Sequence, residues 1–312
     1  MRALVTGGAG FIGSHLAATL IERGDDVVVL DSLATGHRDN VPEGAAFVEG
    51  SVADPDVVAT AVAGCEVVFH LGALGAVARS VAEPLTSDTA NVRGTLAVLT
   101  AARDAGVRRL MFASSSSVYG GAEVVPTPES APLRPRSPYA VTKLTGEHYC
   151  RVFAELFELE TVALRYFNVF GPRQRPDSVY AAVIPLFARA LLDGTRPFVH
   201  GDGQQSRDFT YVSDVVAANL AAADAPTAAA NGKVFNIAGG YQHSLLDLLA
   251  ELGRIVGTTP DPEFGQARAG DVRHSCADPR AAQDALGFEC AVTLGTGLER
   301  TIDWMRSQLP TP

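Results

Sequence analysis

The chain has little cysteine and no cluster of it. Cys65, Cys150, Cys276 and Cys290 are scattered over 312 residues, with no CxxC pair and no His/Cys group. That spacing argues against a disulfide framework or a zinc site, and reads as reduced thiols of a cytosolic protein. The seven histidines are equally dispersed, and no metal ligand set is assigned. Positive charge is also short. With 25 Lys and Arg against 35 Asp and Glu, the net charge is −10, and such a surface repels nucleic acid and anionic membrane. Only a local basic pocket for a small anion stays open. No apolar run approaches the ~18 residues of a membrane span, and no fixed-period repeat is found. The opening run MRALVTGGAGFIG enters a strand at once, without the layout of a signal peptide, so a cytoplasmic location is expected.

What is present is a core-forming composition, 47% hydrophobic and 19% charged, typical of a globular protein. The first half alternates short apolar runs with amphipathic stretches. Residues 3–7, 26–31, 46–50, 66–72, 109–115 and 161–171 read as buried parallel strands, and 11–23, 55–63, 86–105 and 138–157 as helices. This alternation predicts an α/β fold, a doubly wound parallel sheet with helices on both faces. After residue 172, prolines and glycine-rich loops mark a smaller, mixed α/β C-terminal lobe with helices near 179–193, 244–256 and 293–307. The expected division is 1–171 for the sheet domain and mainly 172–312 for the lobe, with 211–238 returning to the sheet.

VTGGAGFIGSHL sets Gly7, Gly10 and Gly13 between the first strand and first helix. One glycine serves the tight turn, one the close approach of a pyrophosphate, and one the packing of helix on strand, with the free N–H groups of the helix facing the phosphates. Asp31 ends the second strand 18 residues after Gly13. A carboxylate there accepts from both hydroxyls of an adenosine ribose and repels a 2′-phosphate, which favours NAD over NADP. A strand-end aspartate that merely caps the next turn is the plainer reading.

SPYAVTK places Tyr139 and Lys143 one helical turn apart. An ammonium beside a phenol favours the phenolate. Lowering a tyrosine from ~10 to about 7 takes roughly 4 kcal/mol, within reach of a close cation and a cationic nicotinamide in a dry site. Alone, the pair reads as a surface tyrosine and a solvated lysine. The serine run FASSSSVYGG follows the fifth strand, at the end of the sheet where such folds bind ligands.

Together TGGAGFIGSHL, Asp31, NVRGT, SSSSVYG, PYAVTK and LRYFNVFGPRQ resemble the extended short-chain dehydrogenase/reductase superfamily, and within it the nucleotide-sugar epimerases and dehydratases. The resemblance covers nearly the whole chain and is less specific for the sugar. It implies a tightly held NAD, a UDP-sugar substrate and a homodimer built on the helices near 86–105 and 138–157. Tyr139 is then the base, Lys143 binds the nicotinamide ribose and Ser115 bonds the sugar 4-hydroxyl. The implied cofactor residues are Gly7, Gly10, Phe11, Ile12, Gly13, Asp31, Ser51, Val52, Leu71, Ala73, Asn91, Ser114, Tyr139, Lys143 and Tyr166. The implied substrate residues are Ser115, Ser116, Ser117, Asn168, Arg175, Val183, Arg207, Arg268, Asp271 and Ser275. One departure is Gly50-Ser51-Val52, where relatives often carry an aspartate against adenine. Gly72 and Leu74 stand where Ala and Gln are frequent.

Dehydratases of this group carry an Asp-Glu pair after the catalytic hydroxyl residue. Here Ser116 and Ser117 occupy those positions. What remains is oxidation and re-reduction at one carbon, a 4-epimerase. The hydroxyl run resembles that of uronate 4-epimerases, so UDP-glucuronate is placed first, ahead of UDP-N-acetylglucosamine and UDP-glucose. Asn168 points instead toward neutral sugars, and a small Ser275 leaves room for a substituent. A net oxidoreductase and a non-catalytic NAD-binding regulator are the competing readings.

Overall fold

The structure is a computed structural model that describes residues 1–175, 182–267 and 272–308. Six strands arise in the first half: β1 (Arg2–Thr6), β2 (Asp26–Asp31), β3 (Ala46–Glu49), β4 (Val67–His70), β5 (Arg109–Ser115) and β6 (Glu160–Tyr166). Short strands β7 (Val169–Phe170), β8 (Phe198–His200), β9 (Ser206–Arg207) and β10 (Thr210–Tyr211) follow, then β11 (Lys233–Ile237), β12 (His243–Ser244) and β13 (Glu263–Gly265). The main sheet has the order β11-β6-β5-β4-β1-β2-β3, with every neighbouring pair parallel. The chain thus returns from the C-terminal half to add β11 at one edge.

The helices are α1 (Phe11–Glu22), α2 (Pro55–Val62), α3 (Val77–Ala82), α4 (Pro84–Asp88), α5 (Gly94–Asp104), α6 (Pro138–Leu156), α7 (Val183–Leu192), α8 (Val212–Asp224), α9 (Thr227–Ala230), α10 (Leu245–Val256), α11 (Arg280–Leu286) and α12 (Leu294–Ser307). Alternate residues of each strand point to opposite faces. Ala3 and Val5 pack with Leu16 of α1, Val215 of α8 and Ala282 of α11, whereas Leu4 packs with Val58 of α2, Leu99 of α5 and Phe153 of α6. Burial on both faces explains why the strands are continuously apolar. A separate core joins α7, α10 and α12 around Phe170 and Tyr211.

Two expected elements differ in form. The run 161–171 breaks after Tyr166, because Asn168 takes φ +33° and its amide donates to the Asp208 carbonyl at 2.9 Å. Residues 169–170 then pair with β10 instead. The helix expected over 86–105 starts at Pro84 and carries a π turn at Thr89–Arg93. The start of the helix expected over 179–193 lies outside the described residues.

Candidate active site

A cavity of about 300 Å³ opens at the C-terminal ends of β1, β2, β4 and β5. The glycine turn forms its floor. Gly7 has φ +70°, and a Cβ on Gly13 would lie 2.2 Å from the Gly7 carbonyl oxygen, so a side chain there is incompatible with the turn. No side chain caps α1 at Gly10, and Phe11, Ile12 and Gly13 line the cavity with their backbone N–H groups at the helix start. Asp31, Ser51 and Val52 line one end, Leu71 and Ala73 the wall, and Ser114, Tyr139, Lys143 and Tyr166 the other end. Asp31 does cap its neighbours, accepting from Ala9 N at 3.0 Å and Leu33 N at 2.8 Å, yet it also faces the cavity. Lys143 is the one cation among the described lining residues and sits at the far end from Asp31, while Arg38 is stacked on Phe47. The lining therefore fits a dinucleotide with a free ribose. The Ser51 hydroxyl accepts from Ala53 N at 3.1 Å. Asn91 does not line the cavity.

Helix α6 carries Tyr139 and Lys143. Ser137 caps it, accepting from Ala140 N at 3.1 Å, and Pro138 opens it. About two turns later the helix lies hard against β5. A Cβ on Gly146 would meet the Phe112 ring at 2.3 Å, so only glycine permits this approach. Lys143 Nζ consequently reaches the Ala113 carbonyl at 2.7 Å. Burial pulls the Lys143 pKa down to about 8, against the raising charges of Cys150 and Glu147. Burial also pushes the Tyr139 phenol above its usual range, and the Ser115 hydroxyl beside it pulls the other way. The Lys143 ammonium bonds the Ala113 carbonyl and lies 5.9 Å from the Tyr139 ring centroid.

Two further cavities continue from the first. One of about 570 Å³ shares Ile12, Ser114, Tyr139 and Tyr166 with it, and is also lined by Ser115, Ser116, Ser117, Asn168, Arg207 and Ser275. The next, about 510 Å³, shares Asn168 and Arg207 and adds Val183. Tyr139 thus stands at the junction of the first two cavities, and Ser115 lines the second. Arg175 is exposed and lines neither cavity. Arg268 and Asp271 lie outside the described residues.

The family model described as the NAD dependent epimerase/dehydratase family matches residues 3–238. The chain belongs to that family. It is 39% identical over 315 residues to the UDP-glucose 4-epimerase of Mycolicibacterium smegmatis, covering 99% of each chain. It is similar to the crystal structure of Thermotoga maritima UDP-glucose 4-epimerase with UDP-glucose, with TM-score 0.94, 38% identity and 98% and 99% coverage. It is also similar to MoeE5 in complex with UDP-glucuronic acid and NAD, with TM-score 0.89, 39% identity and 99% and 100% coverage.

This member of the epimerase/dehydratase family holds its site with two networks that sequence reasoning missed. In the first, Ser114 Oγ donates to Glu147 at 2.5 Å, and Glu147 pairs with Arg165 of β6. Arg165 then donates to the Tyr119 hydroxyl at 2.7 Å, which donates to Asn236 of β11 at 2.7 Å. An arginine inside the apolar strand TVALRYF was the available signal, since a buried charge needs a partner. In the second, Gly72 N donates to Thr6 Oγ1 at 3.0 Å, Thr6 contacts His70 Nδ1 at 2.7 Å, and His70 Nε2 contacts Thr95 Oγ1 at 3.0 Å. Because the Thr95 hydroxyl donates to the Asn91 carbonyl at 2.5 Å, the bond directions assign the proton to Nε2. Asn91 in turn grips Leu74 N at 2.7 Å, Leu74 O at 3.1 Å and Thr142 at 3.1 Å. Asn91 therefore positions the cavity wall rather than lining it. Ser80 adds a third fixture, accepting from Tyr139 N at 3.0 Å.

Proposed function

We propose that this protein is an NAD-dependent UDP-sugar 4-epimerase, with UDP-glucuronate as its first-ranked substrate. The observation that carries the activity is the position of Tyr139, Lys143 and Ser115 around the junction of the two cavities, with serines rather than an acid pair at 116 and 117. When bound, NAD supplies hydride acceptance from C4 and hydride return to the opposite face. The chain supplies the rest. Tyr139 takes the 4-hydroxyl proton as general base and gives it back. Ser115 bonds the same hydroxyl and holds it against the phenol. Lys143 fixes the nicotinamide ribose, and its charge together with that of the oxidised ring offsets the burial that keeps the phenol neutral. Arg207 neutralises the substrate diphosphate at the passage between the second and third cavities. The lack of an acid pair supports epimerisation over dehydration.

UDP-glucuronate rests on the hydroxyl run at 115–117; MoeE5 is solved with UDP-glucuronic acid and also with UDP-glucose. UDP-glucose is the second reading, favoured by Asn168 and by the names of the Mycolicibacterium and Thermotoga relatives. UDP-N-acetylglucosamine is third, on the small Ser275. We read the cofactor as tightly held and the protein as a cytoplasmic homodimer joined through α4, α5 and α6, where Leu85 is 83% and Val141 49% exposed. The test is an NMR time course on purified protein with each sugar nucleotide and no added NAD. A 4-epimer should appear, fastest from UDP-glucuronate, and Tyr139→Phe should slow it by about 10²-fold or more. Near-normal turnover by that variant would remove Tyr139 from the mechanism, and steady NADH release would favour a net oxidoreductase. Sedimentation of the same sample reports the dimer.

A further inference from the structure

The 570 Å³ cavity has three ends. One joins the cofactor cavity at Ser114 and Tyr139, and one joins the nucleotide cavity at Asn168 and Arg207. The third is shared with neither and is lined by Ser116, Ser117, Thr127 and Arg136. No aspartate or glutamate lines any part of this cavity among the described residues, although the chain carries a net charge of −10. Of its two arginines, Arg207 also lines the nucleotide cavity and Arg136 does not. Arg207 lies on the nucleotide side, where a diphosphate linking sugar to uridine must run. Arg136 lies at the third end, away from that path.

Arg136 is exposed and has no hydrogen bond or ion pair to any described residue, unlike its neighbour Arg134, which pairs with Glu123. The backbone holds it against the serine turn, because Arg134 N donates to the Val118 carbonyl at 3.0 Å. In that turn the Ser117 hydroxyl is buried without a partner, an arrangement that costs free energy unless a ligand atom completes it. A cation and an orphan donor at the same end, with no anion among the described lining residues to answer either, call for a negative group on the substrate.

We infer that Arg136, together with Ser117, binds an anionic substituent on the sugar, a carboxylate, and so sets the selectivity between acidic and neutral UDP-sugars. The inference rests on the UDP-sugar epimerase reading and adds the residues that decide its substrate class. A guanidinium matches a carboxylate with two parallel bonds, and the hydroxyl supplies a third. A neutral hydroxymethyl group at the same place gains little from the charge.

The experiment measures kcat/KM for UDP-glucuronate and UDP-glucose in the wild-type holoenzyme and in Arg136→Gln, Arg136→Glu, Arg136→Lys and Ser117→Ala. Arg136→Gln should lower the glucuronate-to-glucose ratio about tenfold, the scale of one charge-assisted bond. Arg136→Glu should lower it further, Arg136→Lys should keep part of it, and Ser117→Ala should lower it by a smaller factor. Titration of both nucleotides into the Tyr139→Phe background should give the same order in Kd. If wild type prefers UDP-glucuronate and the ratio does not move in the Arg136 variants, the inference falls and the substrate reading stands. An equal loss on both sugars assigns Arg136 to the diphosphate and also overturns it. If wild type turns over UDP-glucose and rejects UDP-glucuronate, the substrate reading and the inference fall together.

Discussion

Glu147 grips Arg165 with two parallel hydrogen bonds, Nε to Oε1 at 2.8 Å and Nη2 to Oε2 at 2.7 Å, where each side chain is only 4% exposed. The pair ties α6 to β6. Removing one partner leaves a buried charge with nothing to answer it. Arg165→Met should therefore destabilise the protein by about 3–5 kcal/mol, read by urea unfolding. Replacing both residues with apolar ones should recover most of that loss. If the double variant recovers nothing, the unanswered charge is not the cause of the loss.

The Lys143 ammonium titrates near 8 in the folded protein, below its ordinary 10.5, because of burial. The unfolded chain therefore holds more protons between those values, and the folding free energy should improve as pH rises from about 8 toward 10.5. Below about 8 the cost of the buried ammonium is fully present. Activity should move oppositely, falling as the ammonium is lost above about 8. Lys143→Met should abolish the stability rise in chemical denaturation across this range.

His70 is buried and held to about 3, well below 6.5, by desolvation and the neighbouring Lys143 charge. It stays neutral while the unfolded chain takes up a proton, so stability should be lost as pH falls from about 6.5 toward 3. His70→Gln should flatten that limb in urea titrations at pH 4–6.5. The same variant should loosen NAD, since His70 orders Thr6 and, through it, Gly72 of the cavity wall.

Ser275 lines the sugar cavity, and its N–H donates to the Ser206 carbonyl at 3.1 Å. Ser275→Tyr keeps that backbone bond and adds a ring to the space. Turnover of UDP-N-acetylglucosamine should fall about tenfold more than that of UDP-glucose, a difference of ~1.4 kcal/mol. Equal losses on both sugars would show that Ser275 is not a gate.

Much of this protein was legible because its signals are local. Apolar runs of strand length, the glycine turn before α1, Pro138 at the start of α6 and the four-residue step from Tyr139 to Lys143 follow from backbone rules that act within a few residues. The β5–α6 half of the site was therefore placed from sequence, and β2 was bounded at Asp26–Asp31 as found.

Other features depended on which distant segments meet. The split of 161–171 came from Asn168 reaching Asp208, forty residues on. Asn91 clamps the cavity wall because Leu74 and Thr142 stand on either side of it. The burial that raises the Tyr139 phenol and the Ala113 carbonyl that engages Lys143 are likewise properties of the packed site. The sequence by itself determined the sheet, the turn and the one-turn spacing of Tyr139 and Lys143 on α6. Only the tertiary structure decided the charge balance and the unanswered cation at Arg136, because electrostatic energies depend on distance and burial that no spacing along the chain specifies.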